Sequence, residues 1–118
     1  MKNQPFYRRV GFAAQGILAA WRNESSFKTQ SYAAMCVLIV LIWRRPAPLW
    51  WAFLLMSCGM VLAAELFNSA LEAALDRLHP ERHPAIKVAK DCAAAAVLLL
   101  SLTALGVFIV FVAATFAF

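Results

Sequence analysis

Charged residues are scarce in this sequence. Asp, Glu, Lys and Arg together make up 14% of its 118 residues, against roughly a quarter of an average globular domain. Hydrophobic residues make up 64%, and a water-soluble domain this small has too much surface to cover with so few charges. The composition therefore excludes a disordered chain and a secreted hydrophilic module, and it indicates a protein whose solvent is the membrane.

Cysteine and glycine are also scarce, and their placement excludes further classes. The three cysteines lack the C-x-x-C spacing and lie among apolar residues, which predicts buried, unpaired thiols rather than a disulfide framework. The four glycines are scattered, so there is no glycine-rich phosphate-binding loop. The net charge of +5 does not form a basic stripe interleaved with exposed aromatics, so nucleic-acid binding is not expected.

Long uncharged runs are what the sequence has in quantity. They cover residues 29–43, 46–64 and 92–118. A helix needs about 20 residues to cross the hydrocarbon core, so the first run must be extended at its ends, with Lys28 and Arg44 reaching the interface. We predict an all-α integral membrane fold with three transmembrane helices in a single domain over residues 1–118. The predicted spans cover about 26–44, 48–78 and 85–117.

Two proline-containing turns separate these spans, and the basic residues are divided unequally between them. Nine of the 11 Lys and Arg residues lie before the first span or around the His79–Pro84 turn, and only Arg44 and Arg45 lie at the other turn. The positive-inside rule then predicts a cytoplasmic N-terminus and an external C-terminus. We expect no signal peptide, because the first long apolar run begins only after Lys28.

A separate amphipathic helix is predicted over residues 5–23, ahead of the first span. Its apolar residues fall near helical spacing, with Arg8, Arg9 and Gln15 elsewhere on the wheel. Two interpretations stay open. The helix lies on the inner leaflet as an interfacial helix, or it packs across the mouth of the bundle.

The polar residues of the second span lie on one helical face. Glu65, Asn68, Glu72 and Asp76 follow at spacings of 3, 4 and 4 residues, so all four point the same way. Ionisable groups inside a membrane helix are costly and by default mark a functional site. Asp76 also fits the solvated end of the helix, whereas Glu65 lies about three turns deeper.

Further polar groups are expected on the same side of the membrane. Glu24 lies at the junction of the amphipathic helix and the first span, and Lys90 and Asp91 open the third span. Carboxylates with a lysine are suited to Mg²⁺ shared with a phosphorylated substrate. His79 and His83 bracket a proline turn, which favours loop residues over metal ligands.

The polar runs of the sequence resemble the prokaryotic diacylglycerol kinase family, which includes the undecaprenol kinases. The resemblance is carried by three runs, in order and at family-like spacing: AWRNE with FK over residues 20–28, ELFNSALE with DR over residues 65–77, and AKD at residues 89–91. It implies a membrane lipid kinase with a surface helix and three transmembrane helices per subunit. It also implies a homotrimer with shared active sites in the bacterial inner membrane, facing the cytoplasm and using MgATP.

The resemblance also implies roles for individual residues. Glu65 would be the general base, Asn68 would support the reacting groups, and Glu24 and Glu72 would bind Mg²⁺. Lys90 would neutralise the phosphates of ATP.

The remaining roles concern the nucleotide and are less sharply defined. Asp76 and Asp91 would contact or order it. Either Arg8 or Arg9 would face it, and the sequence does not decide between them. The sequence departs from the family pattern at Gln15, where many relatives carry a lysine, and at Gln30, where many carry an acid.

Two questions stay open from the sequence: which lipid is the substrate, and whether the protein is an enzyme. Diacylglycerol is the expected substrate, but the Pro80–Pro84 turn with Lys87 and Lys90 looks closer to the undecaprenol kinase branch. A non-catalytic membrane assembly protein also fits, in which Glu65 and Asn68 form bonds across an oligomer interface.

Overall fold

The computed structural model describes residues 2–116, and helices are the only regular secondary structure there. It contains α1 (Phe6–Asn23), α2 (Ser25–Arg44), α3 (Pro48–Leu78) and α4 (Pro84–Thr115). The last three are long and apolar enough to cross a membrane, which confirms the prediction of an all-α fold with three candidate spans. The predicted end of the third span, residue 117, lies outside the described residues.

The helices end where the sequence makes continuation costly. Arg45 adopts a left-handed conformation with φ 45° and closes α2, and Pro48 then occupies the first turn of α3, where its missing N–H costs nothing. The second turn ends with His83, whose Nδ1 accepts a hydrogen bond from the backbone N–H of Ala85. This bond gives His83 a role as the cap of α4.

Helix α3 is the centre of the fold and packs against each of the other three helices. In the described residues, no Cα atoms of α2 and α4 lie within 8 Å of each other. Two side chains nevertheless bridge these helices, Gln30 to Ser101 and Arg44 to Thr115. Because both bridges join residues 71 apart in sequence, α2 and α4 run parallel and in register, and each packs against α3.

The apolar core lies at the end of the bundle that carries Arg44 and Pro48, called here the arginine end. Leu41, Leu54 and Phe111 are buried there, and Trp50 packs edge-on against Phe111 at 5.5 Å. The opposite end, with Glu24, Asp76 and the His79–Pro84 turn, is called here the acidic end. The core therefore orders one end of the bundle and leaves polar residues to the other.

Most large apolar side chains outside this core are exposed in the single chain, among them Phe67 at 78%. Such a surface requires lipid or another protein chain around it. The three cysteines are unpaired, as predicted, but the prediction that they are buried is wrong for Cys36 and Cys92, which are exposed. Their apolar sequence context therefore indicates contact with lipid or another protein chain rather than a core.

Helix α1 packs on the bundle only through its second half. Ala20 is buried, whereas Phe6 and Tyr7 are 77% and 71% exposed. The junction with α2 is held by Trp21, which contacts Tyr32 edge-on and receives the Lys28 ammonium over its ring at 5.9 Å. A helix packed across the bundle would bury its first turns, so this exposure favours the interfacial interpretation.

Candidate active site

Glu65 is the one buried charged residue in the described part of the chain, with 4% of its surface exposed. Its position on α3 places it about 16 Å from Asp76 along the helix axis. The side-chain amide of Gln30 on α2 lies near its carboxylate, and the negative charges of Glu24 and Glu72 are close enough to act on it. Three of the predicted site acids therefore interact electrostatically, although in the described residues they do not converge into one cluster.

Asn68 lies one turn from Glu65 and has an unsatisfied acceptor. Its Oδ1 atom is buried and finds no hydrogen-bond partner within the described residues. The residue lines a groove between α3 and α4, opposite Ala93 and Ala96. A buried amide oxygen without a partner is rare and is commonly explained by a ligand, an ion or water.

Glu24 occupies the junction between α1 and α2. It is the N-terminal flanking residue of α2, yet its side chain makes no capping bond to that helix. Together with Ser69 and Ala73 of α3 it lines a cavity of about 460 Å³ under α1. Its carboxylate is therefore not used in closing the helix end.

The acidic end of α3 and α4 holds a second group of charges. Lys90 donates to Asp76 at 2.5 Å, and Lys87 donates to Asp91 at 2.6 Å. All four line a groove of about 600 Å³ with the His79–Pro84 turn. A lysine ammonium has three donors, so each lysine retains donors for a phosphate while its carboxylate partner holds it in place.

The predicted metal residues are oxygen donors of the kind that Mg²⁺ prefers. Within the described chain, however, no three His, Cys, Asp or Glu side chains converge as a metal site. Glu24 and Glu72 both lie near Glu65, and Asn68 offers its free Oδ1. These side chains are oxygen donors of the right chemical type for Mg²⁺, whose remaining ligands would come from water and phosphate.

The two arginines of α1 are not drawn into either group. Arg8 donates from Nη1 to Gln4 Oε1 at 3.4 Å, and both Arg8 and Arg9 are exposed. Helix α1 makes no Cα approach to α4 within 8 Å in the described residues. The structure accordingly leaves the choice between Arg8 and Arg9 open.

The family model for prokaryotic diacylglycerol kinase matches residues 11–112. The chain belongs to this family. Diacylglycerol kinase of Escherichia coli (strain K12) is 33% identical over 92 residues, covering 78% of this chain and 75% of that protein. Diacylglycerol kinase of Pseudomonas aeruginosa is 35% identical over 99 residues, or 80% of each chain. Undecaprenol kinase of Bacillus subtilis (strain 168) is 33% identical over 92 residues, covering 78% and 75%.

Membership makes this diacylglycerol kinase family protein a multi-pass membrane lipid kinase, and a kinase family implies the use of ATP. It sets aside the alternative of a non-catalytic assembly protein. The matched segment contains every predicted site residue from Glu24 to Asp91, whereas Arg8 and Arg9 lie before it.

Three residues of these groups were absent from the predicted site: Gln30, Ser101 and Lys87. Lys87 carried a visible signal, since a lysine four residues before an acid pairs with it on a helix. The contact between Gln30 and Ser101 carried none, because 71 residues separate the two and only the packing of α2 and α4 around α3 brings them together.

Proposed function

We propose that this lipid kinase transfers the γ-phosphoryl group of MgATP to the hydroxyl of diacylglycerol, forming phosphatidic acid. The observation that carries the proposal is the buried carboxylate of Glu65, on one face of α3 with Asn68 and Glu72. A carboxylate is costly at this depth unless it has a function. A lipid hydroxyl presented at the membrane boundary is the reactant within its reach.

Glu65 acts as the general base in this proposal. As the lipid oxygen attacks the γ-phosphorus, its O–H bond breaks, the proton passes to the Glu65 carboxylate, and the bond from phosphorus to ADP breaks. Phosphoryl transfer needs mainly positioning and charge neutralisation. Asn68, with its free Oδ1, orients the reacting groups beside the base.

The nucleotide occupies the groove at the acidic end in this proposal. Lys90 neutralises its phosphates while Asp76 holds the lysine, and Asp91 orders the nucleotide together with Arg8 or Arg9. Glu24 and Glu72 hold Mg²⁺, which when bound neutralises charge that develops on the transferred group. Each of these side chains is an ordinary polar residue, so no glycine-rich loop is required.

Undecaprenol is the second candidate substrate. It is favoured by the relative named undecaprenol kinase, which matches this chain at 33% identity over 92 residues. The Pro80–Pro84 turn with Lys87 also looks closer to that branch. Lipids of both kinds present one hydroxyl at the interface, and they differ in the apolar chains that the helices contact.

The experiment is transfer of labelled phosphate from ATP by the purified full-length protein in mixed micelles. Diacylglycerol and undecaprenol are supplied separately and then together, with and without Mg²⁺. We expect Mg²⁺-dependent labelling, faster with diacylglycerol. Faster labelling of undecaprenol would replace the proposed substrate, and labelling of neither lipid would refute the proposal.

We place this site on the cytoplasmic side of the bacterial inner membrane. Nine of the 11 basic residues lie before the first long apolar run or around the His79–Pro84 turn. Positive residues are retained on the cytoplasmic side of a membrane. A reporter inserted at Glu81 is expected inside the cell, and one fused after residue 118 outside. A cytoplasmic reporter at the C-terminus would contradict this orientation.

A further inference from the structure

Gln30 and Ser101 make a polar contact across the groove between α2 and α4. Gln30 Nε2 donates to Ser101 Oγ at 3.0 Å, and the bond is partly buried. Since the backbones of α2 and α4 stay more than 8 Å apart in the described residues, only side chains cross this groove. Within a membrane an unpaired amide is costly, so the contact fixes the Gln30 rotamer.

The same amide lies near the Glu65 carboxylate. A glutamine amide nitrogen carries two N–H donors. One of them donates to Ser101 Oγ, and the Glu65 carboxylate lies near the same amide, so the second N–H is available to it. The other neighbours that act on this carboxylate are the negative charges of Glu24 and Glu72. Gln30 is thus the neutral donor in a group of acids.

We propose that Gln30, anchored by Ser101, is a positioning residue that holds the Glu65 carboxylate in the orientation from which it accepts the proton of the lipid hydroxyl. The proposal rests on the proposed function, because it assigns a role relative to Glu65 as the base. Ser101 contributes by fixing Gln30, and it does not touch the reacting atoms.

Ser57 supplies a matched control. It lines the same groove of about 340 Å³ as Gln30 and Ser101. Its hydroxyl, however, donates at 2.8 Å to the carbonyl of Phe53 in its own helix. Ser57→Ala and Ser101→Ala therefore remove the same atom from the same groove, and only the second removes the anchor of Gln30.

The test compares kcat and the KM for ATP of purified full-length variants in mixed micelles, with diacylglycerol and undecaprenol in parallel. Ser101→Ala is expected to lower kcat by about 3- to 10-fold, the effect of one neutral hydrogen bond, without changing the KM for ATP. Ser101→Thr, which keeps the hydroxyl, and Ser57→Ala are expected to retain the kcat of the unmodified protein.

A double-variant cycle tests whether Ser101 acts through Gln30. Gln30→Met removes the amide at similar size and should lower kcat at least as much as Ser101→Ala. In the Gln30→Met background, Ser101→Ala should add no further loss. If Ser101→Ala does not fold, Gln30→Met against the unmodified protein decides the same question.

Several results would overturn the proposal. These are an unchanged kcat in Ser101→Ala or Gln30→Met, equal losses of kcat in Ser101→Ala and Ser57→Ala, equal losses in Ser101→Ala and Ser101→Thr, or additive losses in the double-variant cycle.

Glu65→Gln in the same assay separates this proposal from the proposed function. If Glu65→Gln loses turnover while Ser101→Ala keeps it, only the positioning role fails. If Glu65→Gln keeps turnover, Glu65 is not the base and both fail.

Discussion

At the scale of single residues, Glu65 differs from the other acids in how completely the fold encloses it. It is 4% exposed, whereas the side chains of Asp76 and Asp91 are 65% and 63% exposed. If this acid only ties helices together, replacing it by the neutral amide lowers the cost of burying it and leaves turnover intact. If it accepts a proton in the reaction, the amide cannot take its place and turnover is lost.

Replacing Glu65 by Gln separates these two roles. The amide keeps the shape and the hydrogen-bonding capacity but cannot accept the proton, so we expect turnover to fall by roughly 10²- to 10⁴-fold. Binding of an ATP analogue, measured by calorimetry in detergent, should survive. Near-normal turnover with unchanged nucleotide affinity would show that Glu65 is a structural acid.

Glu24 and Glu72 are predicted to matter through Mg²⁺. The negative charges of Glu24 and Glu72 both act on Glu65, so the three carboxylates repel one another. A cation bound among them would relieve that repulsion. Glu24→Gln or Glu72→Gln should therefore raise the Mg²⁺ concentration needed for half-maximal rate and lower the maximal rate. The measurement is a Mg²⁺ titration of labelled-phosphate transfer at saturating ATP.

The control for these two variants is Ser57→Ala, which leaves all acids in place. Its Mg²⁺ dependence should match that of the unmodified protein. An unchanged Mg²⁺ requirement in both acid variants would remove Glu24 and Glu72 from the metal site.

At the scale of elements, α2 and α4 are held parallel by one side-chain bridge near each end of their groove. Gln30 and Arg44 are 14 residues apart on α2, as are Ser101 and Thr115 on α4, so the bridges lie about 21 Å apart. Arg44 donates to the Thr115 carbonyl at 2.9 Å and lies 4.0 Å above the Phe116 ring. Arg44 therefore adds two contacts between α2 and the end of α4 to the apolar core at the arginine end.

Arg44→Lys is predicted to loosen that end. Lysine keeps the positive charge that contributes to the predicted membrane orientation. It lacks the planar guanidinium that stacks on the Phe116 ring while donating to the Thr115 carbonyl. We expect a loss of about 1–2 kcal/mol in stability, measured by thermal unfolding in detergent. Arg45→Lys, the matched change at a neighbour outside the bridge, should unfold at the temperature of the unmodified protein. Equal shifts in both variants would show that the bridge contributes nothing.

The sequence predicts the helices far better than it predicts their contacts. Two arginines followed by two prolines make it costly to continue a membrane helix, and the predicted spans of 26–44 and 48–78 lie within a residue of α2 and α3. The acidic face of α3 was equally visible, because its members are neighbours along one helix. The Gln30–Ser101 and Arg44–Thr115 bridges were not, because each joins two helices through their shared packing on α3, which no local pattern encodes.

At the scale of the whole molecule, a single chain leaves its polar groups divided. Lys90 is paired with Asp76 at the α3–α4 end, and Glu24 belongs to the α1–α2 junction. Within the described residues α1 and α4 do not approach each other. We propose a homotrimer, which would cover exposed apolar side chains such as Phe67 and would let Glu65 of one subunit share a site with Lys90 of the next.

Mixing two inactive variants tests whether the site is shared. Glu65→Gln lacks the base and Lys90→Ala lacks the phosphate ligand, so each alone should be nearly inactive. If one site draws Glu65 and Lys90 from adjacent subunits of a closed ring, random assembly of an equal mixture restores about a quarter of the sites. Labelled-phosphate transfer should then recover to a similar fraction of the unmodified rate after the subunits are unfolded together and reassembled.

The matched control mixes each variant with the double variant Glu65→Gln/Lys90→Ala, a combination from which no intact site can assemble. These mixtures should stay as inactive as their components, because every possible site lacks either Glu65 or Lys90. Recovery confined to the first mixture would therefore mean that one site combines Glu65 of one subunit with Lys90 of another. If the first mixture also stays inactive while crosslinking shows mixed trimers, each chain must complete its own site, and the exposed apolar faces would serve assembly or lipid contact alone.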